Sequence, residues 1–452
     1  MSALKEEKRG SFGSKIGVVL ASAGSAIGLG NIWRFPYMTG QNGGAAFILV
    51  YLGCVFLLGL PVMLSEFTIG RRAHSNTMRA YLKLAPGTKW YLLGGMGVLA
   101  GFLILGYYSV VCGWTLEYLF QSAAGNMGGK EPEVFSAMFA TFTASPLRPL
   151  IWMVLFLLLT HFIVVRGIKK GIENSSMIMM PMLFLIMFVL IGRTLTLSGA
   201  HEGLTYLFNP DFSKINSSVV LSALGQAFFS LSLGMGCLCT YASYFPDNTD
   251  MVKTGVQVTV LDTAVAILAG VIIFPAVFTF GIDPSSGPEL VFVTLPNVFQ
   301  NMVGGYIWAI LFYILLALAA LTSTISMHEV VTAFLQEEKK ISRVKAARVV
   351  TIGCIIIGTF CSLSFGLLGH VKVFGLDLFN LTDYVASKVM LPLGGMFISI
   401  FTGWFLDKNT LWEELSNHST LRFHLFKVYV FIIRYVAPIV IGCIFLKEIG
   451  II

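Results

Sequence analysis

The most marked deficit in this sequence is charge. Asp, Glu, Lys and Arg make up 12% of its 452 residues, whereas roughly 25% is usual in soluble globular proteins. So few charges cannot cover the surface of a soluble protein of this length, and the mean hydropathy of +0.81 agrees. The composition therefore predicts an integral membrane protein and excludes an ordinary soluble domain.

The chain also lacks the features of several other classes. Its seven cysteines lie in apolar runs whose spacing fits neither a disulfide framework nor a zinc site, so buried free thiols are expected. No phosphate-binding loop, HExxH sequence or nucleophile motif stands in a suitable context, which disfavours an enzyme. The net charge of +7 comes from short loops, as membrane topology requires, and does not favour nucleic-acid binding.

About eleven apolar segments are long enough to cross a bilayer, and each should be a helix because lipid offers no partner to open backbone. Residues 1–452 are interpreted as one integral membrane domain. Lys and Arg concentrate in alternate loops, which predicts a cytoplasmic N-terminus and, with an odd number of spans, a C-terminus outside. The predicted spans are residues 14–38, 44–70, 90–121, 147–166, 171–195, 216–245, 255–281, 304–336, 346–366, 374–405 and 428–449.

Glycine interrupts the first and sixth spans at similar depths, in AGSAIGLGN (Ala23 to Asn31) and FFSLSLGMG (Phe228 to Gly236). Because the two spans lie five apart, they cross in opposite directions, as in an inverted repeat with its site at the midplane. Small residues could instead serve close helix packing, but the matched pair favours two broken helices. The freed N–H and C=O groups of such breaks suit an amino-acid zwitterion together with a sodium ion.

The segment GSAIGLGNIWRFPYMTGQNGGAAF (Gly24 to Phe47) closely resembles the first helix of the neurotransmitter:sodium symporter family. The resemblance continues at YYSVVCGWTL (Tyr107 to Leu116), SLSLGMGCLCTYASYF (Ser230 to Phe245) and ALTSTIS (Ala320 to Ser326). The resemblance is to bacterial members of the family that accept many hydrophobic amino acids. It implies an all-α membrane protein with the LeuT-like fold, a five-plus-five inverted repeat whose helices 1 and 6 are broken at the midplane.

The resemblance also implies the division of the chain and its function. Residues 14–195 would form the first repeat (helices 1–5), residues 216–405 the inverted repeat (helices 6–10) and residues 428–449 helix 11. The implied function is sodium-coupled symport of neutral hydrophobic and aromatic L-amino acids, by alternating access, across the bacterial inner membrane. An ion channel and a proton-coupled transporter with the same repeat are the alternatives. Proton-coupled relatives tend to place a lysine where this sequence keeps a sodium site, at Thr322 and Ser323.

Carried over residue by residue, the resemblance implies one substrate pocket, in which Tyr108 would donate a hydrogen bond to the substrate carboxylate. No titratable acid or base faces the substrate side chain, so neutral substrates are expected. Tyr108 and Phe229 alone would be ordinary buried aromatics. The implied pocket residues are Ser25, Ala26, Leu29, Gly30, Ile104, Tyr108, Phe229, Ser230, Ser232, Met235, Ser323 and Met327.

Two sodium sites are implied in the same way, both built of the oxygen donors that hard cations prefer. The first would use the substrate carboxylate and four residues, Ala26, Asn31, Ser230 and Asp262. The second would use backbone carbonyls and hydroxyls of Gly24, Ile27, Ala319, Thr322 and Ser323. Thr322 and Ser323 could otherwise bond back to their own helix.

Chloride is not expected as a cofactor. Chloride-dependent animal relatives have an asparagine at the position of Asp262 and a serine one helical turn later, beside a bound chloride. Here the later position is Ala266, and the Asp262 carboxylate can balance the sodium charge itself. Alternatively, Asp262 serves as a hydrogen-bonding group within its helix.

Gate residues are implied on both sides of the pocket. Arg34 matches an outer gate, with Asp383 as its acidic partner and Asp377 as the alternative. The inner cluster would contain Arg9, Phe12, Ser243, Tyr244 and Glu337, although Arg9 could serve topology alone.

Three further features concern single spans. Glu66 is expected to support the break in the sixth span. Gly171 and Pro181 match a pair that unwinds helix 5, or they produce a simple kink. Lys388 departs from the family pattern, and the sequence leaves its role and the oligomeric state open.

Overall fold

The computed structural model describes residues 10–281 and 291–451. In this part of the chain the secondary structure is helical, apart from one isolated bridge between Val373 and Leu376. Arg9 lies outside the described residues. The predicted all-α membrane architecture is confirmed.

The helices that are long and apolar enough to cross a membrane coincide with predicted spans. Nine of them occur in the described residues: Ala45–Ala73, Tyr91–Ala123, Arg148–Val165, Ile168–Thr194, Met251–Thr279, Gly305–Glu338, Arg343–Leu363, Leu378–Phe405 and Phe426–Glu448. They are called here spans 2 to 5 and 7 to 11. Span 1 is the bent pair Lys15–Ala26 and Gly30–Gln41, whose halves meet at 54°. Span 6 is the pair Ser217–Ser230 and Cys237–Ala242.

Shorter helices occupy the loops between spans. They are Thr77–Leu84, Pro132–Ala144, Ala200–Phe208, Thr294–Gln300 and Lys408–Leu415. The first of these begins with a sequence-encoded cap, because the Asn76 side chain accepts a hydrogen bond from the Arg79 N–H.

Burial distinguishes the spans inside the helix bundle from those at its periphery. The most apolar window is 72% buried in spans 3 and 7, but only 33% in span 4 and 28% in span 11. Ile151, Leu155 and Phe162 project from span 4, as expected for a helix that faces lipid because the bilayer solvates such side chains. The transport site is therefore sought among the buried spans.

Span 2 packs closely against the second half of span 6. A Cβ on Gly70 would lie 2.0 Å from the Cys239 carbonyl oxygen, a separation no larger side chain could adopt without moving the backbone. Gly70 thus allows span 2 to support the broken span from behind.

Candidate transport site

The break in span 1 brings free backbone into the protein interior. The first half ends at Ala26, and Ile27 has extended dihedral angles. The Leu29 N–H donates to the Tyr108 hydroxyl at 2.8 Å, and the Gly28 N–H donates to Asn31 Oδ1 at 2.9 Å. These bonds satisfy donors that the interrupted helix leaves without intrahelical partners.

The break in span 6 depends on left-handed backbone and a buried acid. Ser232, Gly234 and Gly236 all have positive φ, which ends the first half-helix and turns the chain. The buried Glu66 carboxylate accepts hydrogen bonds from the N–H groups of Gly234 at 2.7 Å and Cys239 at 3.3 Å. Glu66 thus contacts the break, as the sequence predicted.

A small cavity lies between the two breaks and is closed by spans 3 and 8. Eleven of the twelve predicted pocket residues line it, and the residues in its wall are Ser25, Ala26, Gly28, Gly30, Ile104, Tyr108, Phe229, Ser230, Ser232, Met235, Ser323 and Met327. Gly28 takes the place predicted for Leu29. Unwinding turns the Leu29 N–H toward Tyr108, while the Leu29 side chain packs in the apolar core.

Beside this cavity, a buried carboxylate collects polar partners. Asp262 accepts hydrogen bonds from Asn31 Nδ2 at 2.7 Å and from Ser230 Oγ at 2.8 Å. Its side chain is fully buried, and among the described residues no basic nitrogen lies within 4 Å of it. Since a buried charge without a counter-ion is costly, this arrangement favours a cation between Asp262, Asn31 and Ser230.

A second group of oxygens joins span 1 to span 8. Thr322 Oγ1 lies 3.1 Å from the Ile27 carbonyl oxygen and 2.9 Å from that of Ala319. Ser323 Oγ lies 3.1 Å from the same Ile27 oxygen. A Cβ on Gly24 would come within 3.2 Å of Thr322, so all five residues of the predicted second sodium site lie together. Such neutral oxygens suit a monovalent hard cation.

On the side of the pocket where the outer gate was predicted, Arg34 covers the cavity. Its guanidinium carbon stands 4.3 Å from the ring centroid of Phe229, within the range of a cation–π contact. Arg34 and Asp383 line one cavity, but they are not within 4 Å of each other in the described structure. Asp377 accepts from the Asn380 N–H at 2.9 Å as a helix cap and does not line that cavity, so the geometry favours Asp383 as the partner.

On the opposite side, where the inner cluster was predicted, the first described residues pack on the end of span 6. The Phe12 N–H donates to the Tyr244 carbonyl at 3.1 Å, and the Phe12 ring packs edge-on against Tyr241 and Tyr244. Glu337 accepts hydrogen bonds from Asn76 N and Nδ2 at 2.8 and 3.0 Å. The Ser243 hydroxyl donates to the Thr240 carbonyl at 2.5 Å. Phe12 and Tyr244 therefore adjoin, whereas the placement of Arg9 is outside the described part.

A buried ion pair on this side was not predicted. Glu329, fully buried in span 8, accepts from the Tyr244 hydroxyl at 2.7 Å and from the Arg343 guanidinium. The Arg343 Nε also donates to the Val164 carbonyl at 2.9 Å. An acid inside a predicted span is a signal of function in itself. The same rule that identified Glu66 would have identified Glu329.

Span 5 begins with a wide helical turn that contains Gly171. Ile168–Glu173 is a π-helical turn, and Pro181 lies inside the helix that follows. The Glu173 carboxylate accepts from the Gly13 N–H and the Ser14 hydroxyl, both at 2.7 Å. The N-terminal segment is thereby tied to this turn, a contact that the sequence did not indicate.

Comparisons with known proteins agree with this geometry. The model of the sodium:neurotransmitter symporter family matches residues 9–133 and 146–451. An uncharacterized sodium-dependent transporter of Bacillus subtilis is 40% identical over 99% of both chains. The human sodium- and chloride-dependent GABA transporter 2 is 27% identical, covering 91% of this chain and 75% of its own.

A solved structure, that of MhsT in complex with L-phenylalanine, is also similar. It superposes with a TM-score of 0.90 at 47% identity, over 97% of this chain and all of the other. This likeness shows the LeuT-like fold. The chain belongs to the sodium:neurotransmitter symporter family, and it is a sodium-dependent membrane transporter rather than an enzyme.

Proposed function

We propose that this transporter imports neutral hydrophobic and aromatic L-amino acids together with two sodium ions and without chloride. The observation that carries the proposal is the cavity between the two broken spans. Among the described residues, its walls hold hydroxyls and apolar side chains but no Asp, Glu, Lys, Arg or His. A charged substrate side chain would remain unpaired there, at a cost of several kcal/mol.

The two ends of the substrate face different parts of the cavity. The Tyr108 hydroxyl already accepts from the Leu29 N–H, so its proton is free to be donated to a substrate carboxylate. The same carboxylate would complete the first sodium site beside Asn31 and Asp262. The substrate side chain would lie against Ile104, Met235 and Met327. Unbranched methionine side chains adapt to ligands of different size, which favours a broad range of substrates. MhsT, the similar structure, holds L-phenylalanine.

Two sodium ions provide ample driving force. Each ion moving down a tenfold gradient and about 100 mV releases roughly 1.4 plus 2.3 kcal/mol. Two ions therefore supply about 7 kcal/mol, enough for roughly 10⁵-fold accumulation of a neutral substrate. A sodium gradient directed into a bacterial cell would drive accumulation inward across the inner membrane, where the N-terminus would lie in the cytoplasm and the C-terminus outside.

Chloride independence rests on Asp262 and Ala266. The Asp262 carboxylate accepts hydrogen bonds from Asn31 and Ser230 at the proposed first sodium site. Ala266, one turn later, is buried and has no group that binds an anion. A fixed negative charge makes a mobile anion unnecessary for balancing sodium. The GABA transporter relative, by contrast, is described as chloride-dependent.

The deciding experiment is uptake of labelled amino acids into proteoliposomes. We expect phenylalanine, leucine, valine, tyrosine and tryptophan to accumulate when sodium is outside, and not when choline replaces it. Replacing chloride by gluconate should leave uptake unchanged. Accumulation driven only by a proton gradient would instead support the proton-coupled alternative, and binding restricted to glycine would refute the pocket assignment.

A further inference from the structure

Lys388, the residue that departs from the family pattern, pairs with an acid on the last span. Its Nζ lies 3.6 Å from Glu448 Oε2 and 5.9 Å from the centroid of the Tyr384 ring. The Lys388 and Glu448 side chains are 45% and 33% exposed. The contact joins span 10 to span 11, at the edge of the outer cavity that also contains Arg34.

A wide helical turn brings Lys388 to the side of span 10 that carries Asp383. Tyr384–Met390 is π-helical. Five residues apart on an α-helix, two side chains point about 140° away from each other, and the wider i→i+5 turn reduces that angle. Lys388 and Asp383 accordingly line the same cavity, and Ser387, between them in the chain, donates to Asp383 Oδ1 at 2.8 Å.

One cavity thus contains two cations and two carboxylates, because Arg34, Asp383, Lys388 and Glu448 all line it. Two pairings are possible. Lys388 can bind Glu448, which leaves Asp383 for Arg34, or it can bind Asp383 and exclude Arg34. Opposite charges in one cavity attract whichever partner is nearest, so the position of Lys388 decides between these pairings.

Glu448 is held in place from the other side. The adjacent Lys447 Nζ donates to the Ser218 carbonyl and hydroxyl at 3.4 and 3.3 Å, which anchors the end of span 11 on span 6. A Cβ on Gly225 would stand 3.9 Å from Glu448 Oε1, so the carboxylate lies against span 6 as well. These contacts place Glu448 between span 6 and Lys388.

We propose that Glu448 is a positioning residue that holds Lys388 away from Asp383, so that Asp383 remains available to Arg34 when the outer pathway closes. This inference rests on the outer-gate role of Arg34 and Asp383 in the proposed function. The proposal predicts that removing Glu448 and removing Lys388 have different effects on closure of the outer pathway. Loss of Glu448 releases a competitor for Asp383, whereas loss of Lys388 removes that competitor.

The test compares Glu448→Gln, Lys388→Gln and the double variant. Ile444, buried in the same cavity, is replaced by cysteine in a Cys443→Ser background, and its reaction with a water-soluble thiol reagent is timed. The thiol reaction rate is measured in sodium and in choline. The condition in which the parental Ile444→Cys protein reacts more slowly is taken as the one in which the outer pathway is closed. A partly exposed ion pair contributes up to about 1 kcal/mol, so Glu448→Gln should raise that rate about fivefold.

Lys388→Gln and the double variant should both react at nearly the parental rate. The release rate of bound labelled phenylalanine should follow the same order. Equal effects of Lys388→Gln and Glu448→Gln, or a double variant as reactive as Glu448→Gln, would show that the pair only ties two spans together and would overturn the proposal. The thiol reaction requires no transport, so the order of the three variants tests the inference independently of uptake. Wild-type uptake that does not depend on sodium would refute only the proposed function.

Discussion

Asn31 Nδ2 donates a 2.7 Å hydrogen bond to Asp262 Oδ1, which joins the broken first span to span 7 at a fully buried point. Both side chains have no exposed surface. The bond aligns a carboxylate and an amide around the position where the first sodium ion is proposed. The charge of Asp262 therefore bears directly on sodium affinity.

Replacing Asp262 by Asn should weaken sodium binding. Interactions with a charged group contribute about 1.5–3 kcal/mol, which corresponds to roughly a 10- to 100-fold rise in the sodium concentration for half-maximal uptake. Measuring phenylalanine uptake over a range of sodium concentrations gives this half-maximal concentration. Asp250→Asn is the matched control, because Asp250 caps the same helix and asparagine caps equally well. Unchanged sodium dependence in Asp262→Asn would refute the assignment.

Adding Ala266→Ser to Asp262→Asn tests the chloride argument separately. We expect the double variant to require chloride, since it lacks the fixed charge and gains a hydroxyl one turn away. Uptake in gluconate, compared with uptake in chloride, gives the answer. If wild-type uptake already fails in gluconate, the carboxylate does not balance the sodium charge.

The second oxygen cluster is tested on span 8. Thr322→Ala removes a hydroxyl that contacts the Ile27 and Ala319 carbonyls, and we expect sodium-driven accumulation to be abolished. Thr324→Ala is the control on the same helix, because Thr324 bonds instead to Leu321 and Thr160. The measurement is the ratio of internal to external phenylalanine at equilibrium. Equal accumulation by both variants would remove Thr322 from the sodium site.

The two breaks could be predicted from sequence because their signal is local, whereas the pocket and sodium-site residues were implied by the resemblance to the symporter family. The glycines near Ile27 and Ser232 mark breaks that a membrane helix tolerates only where other groups satisfy the backbone, and the eleven predicted spans follow from hydropathy alone. Leu29, which was also predicted in the pocket, does not line the cavity. The orientation of an unwound segment depends on distant partners, and the Leu29 N–H is held by Tyr108, 79 residues away.

The ion pairs were beyond prediction for a related reason. Arg343 begins span 9 and could have served topology alone, as positive residues in inner loops do. Only the fold brings it to Glu329, and only the fold brings Glu448 to Lys388. Sequence patterns identify such charges as unusual, but the partner of each is decided by helix packing.

Glu329→Gln should destabilise the protein markedly. It leaves the Arg343 guanidinium, 19% exposed, without its carboxylate, and breaking a buried pair in this way costs about 3–5 kcal/mol. Thermal unfolding in detergent, followed by size-exclusion chromatography, should show a clear decrease in Tm. Glu338→Gln is the control, because its pair with Arg79 is more exposed and contributes about 0–1 kcal/mol.

The double variant Glu329→Gln Arg343→Gln distinguishes charge burial from other causes. If the unpaired guanidinium is responsible, removing it should restore most of the lost Tm. A double variant less stable than either single variant would mean that the hydrogen bonds of Glu329 and Arg343 to Tyr244 and Val164 matter more than their charges.

Gly171→Ala should impair the transport cycle while leaving substrate binding intact. A Cβ at this position would stand 2.1 Å from the Ile163 carbonyl oxygen, so the π-helical turn at the start of span 5 cannot persist unchanged. Overpacking of this kind typically costs 1–3 kcal/mol, and here the cost falls on the turn that holds the N-terminal segment through Glu173.

Gly192→Ala is the matched control, because the same helix leaves open space around that position. We expect sodium-dependent phenylalanine binding to stay within about twofold of wild type in both variants, and uptake to fall about tenfold only in Gly171→Ala. If Gly171→Ala transports as fast as Gly192→Ala, the wide turn is a passive feature of packing and helix 5 need not unwind there.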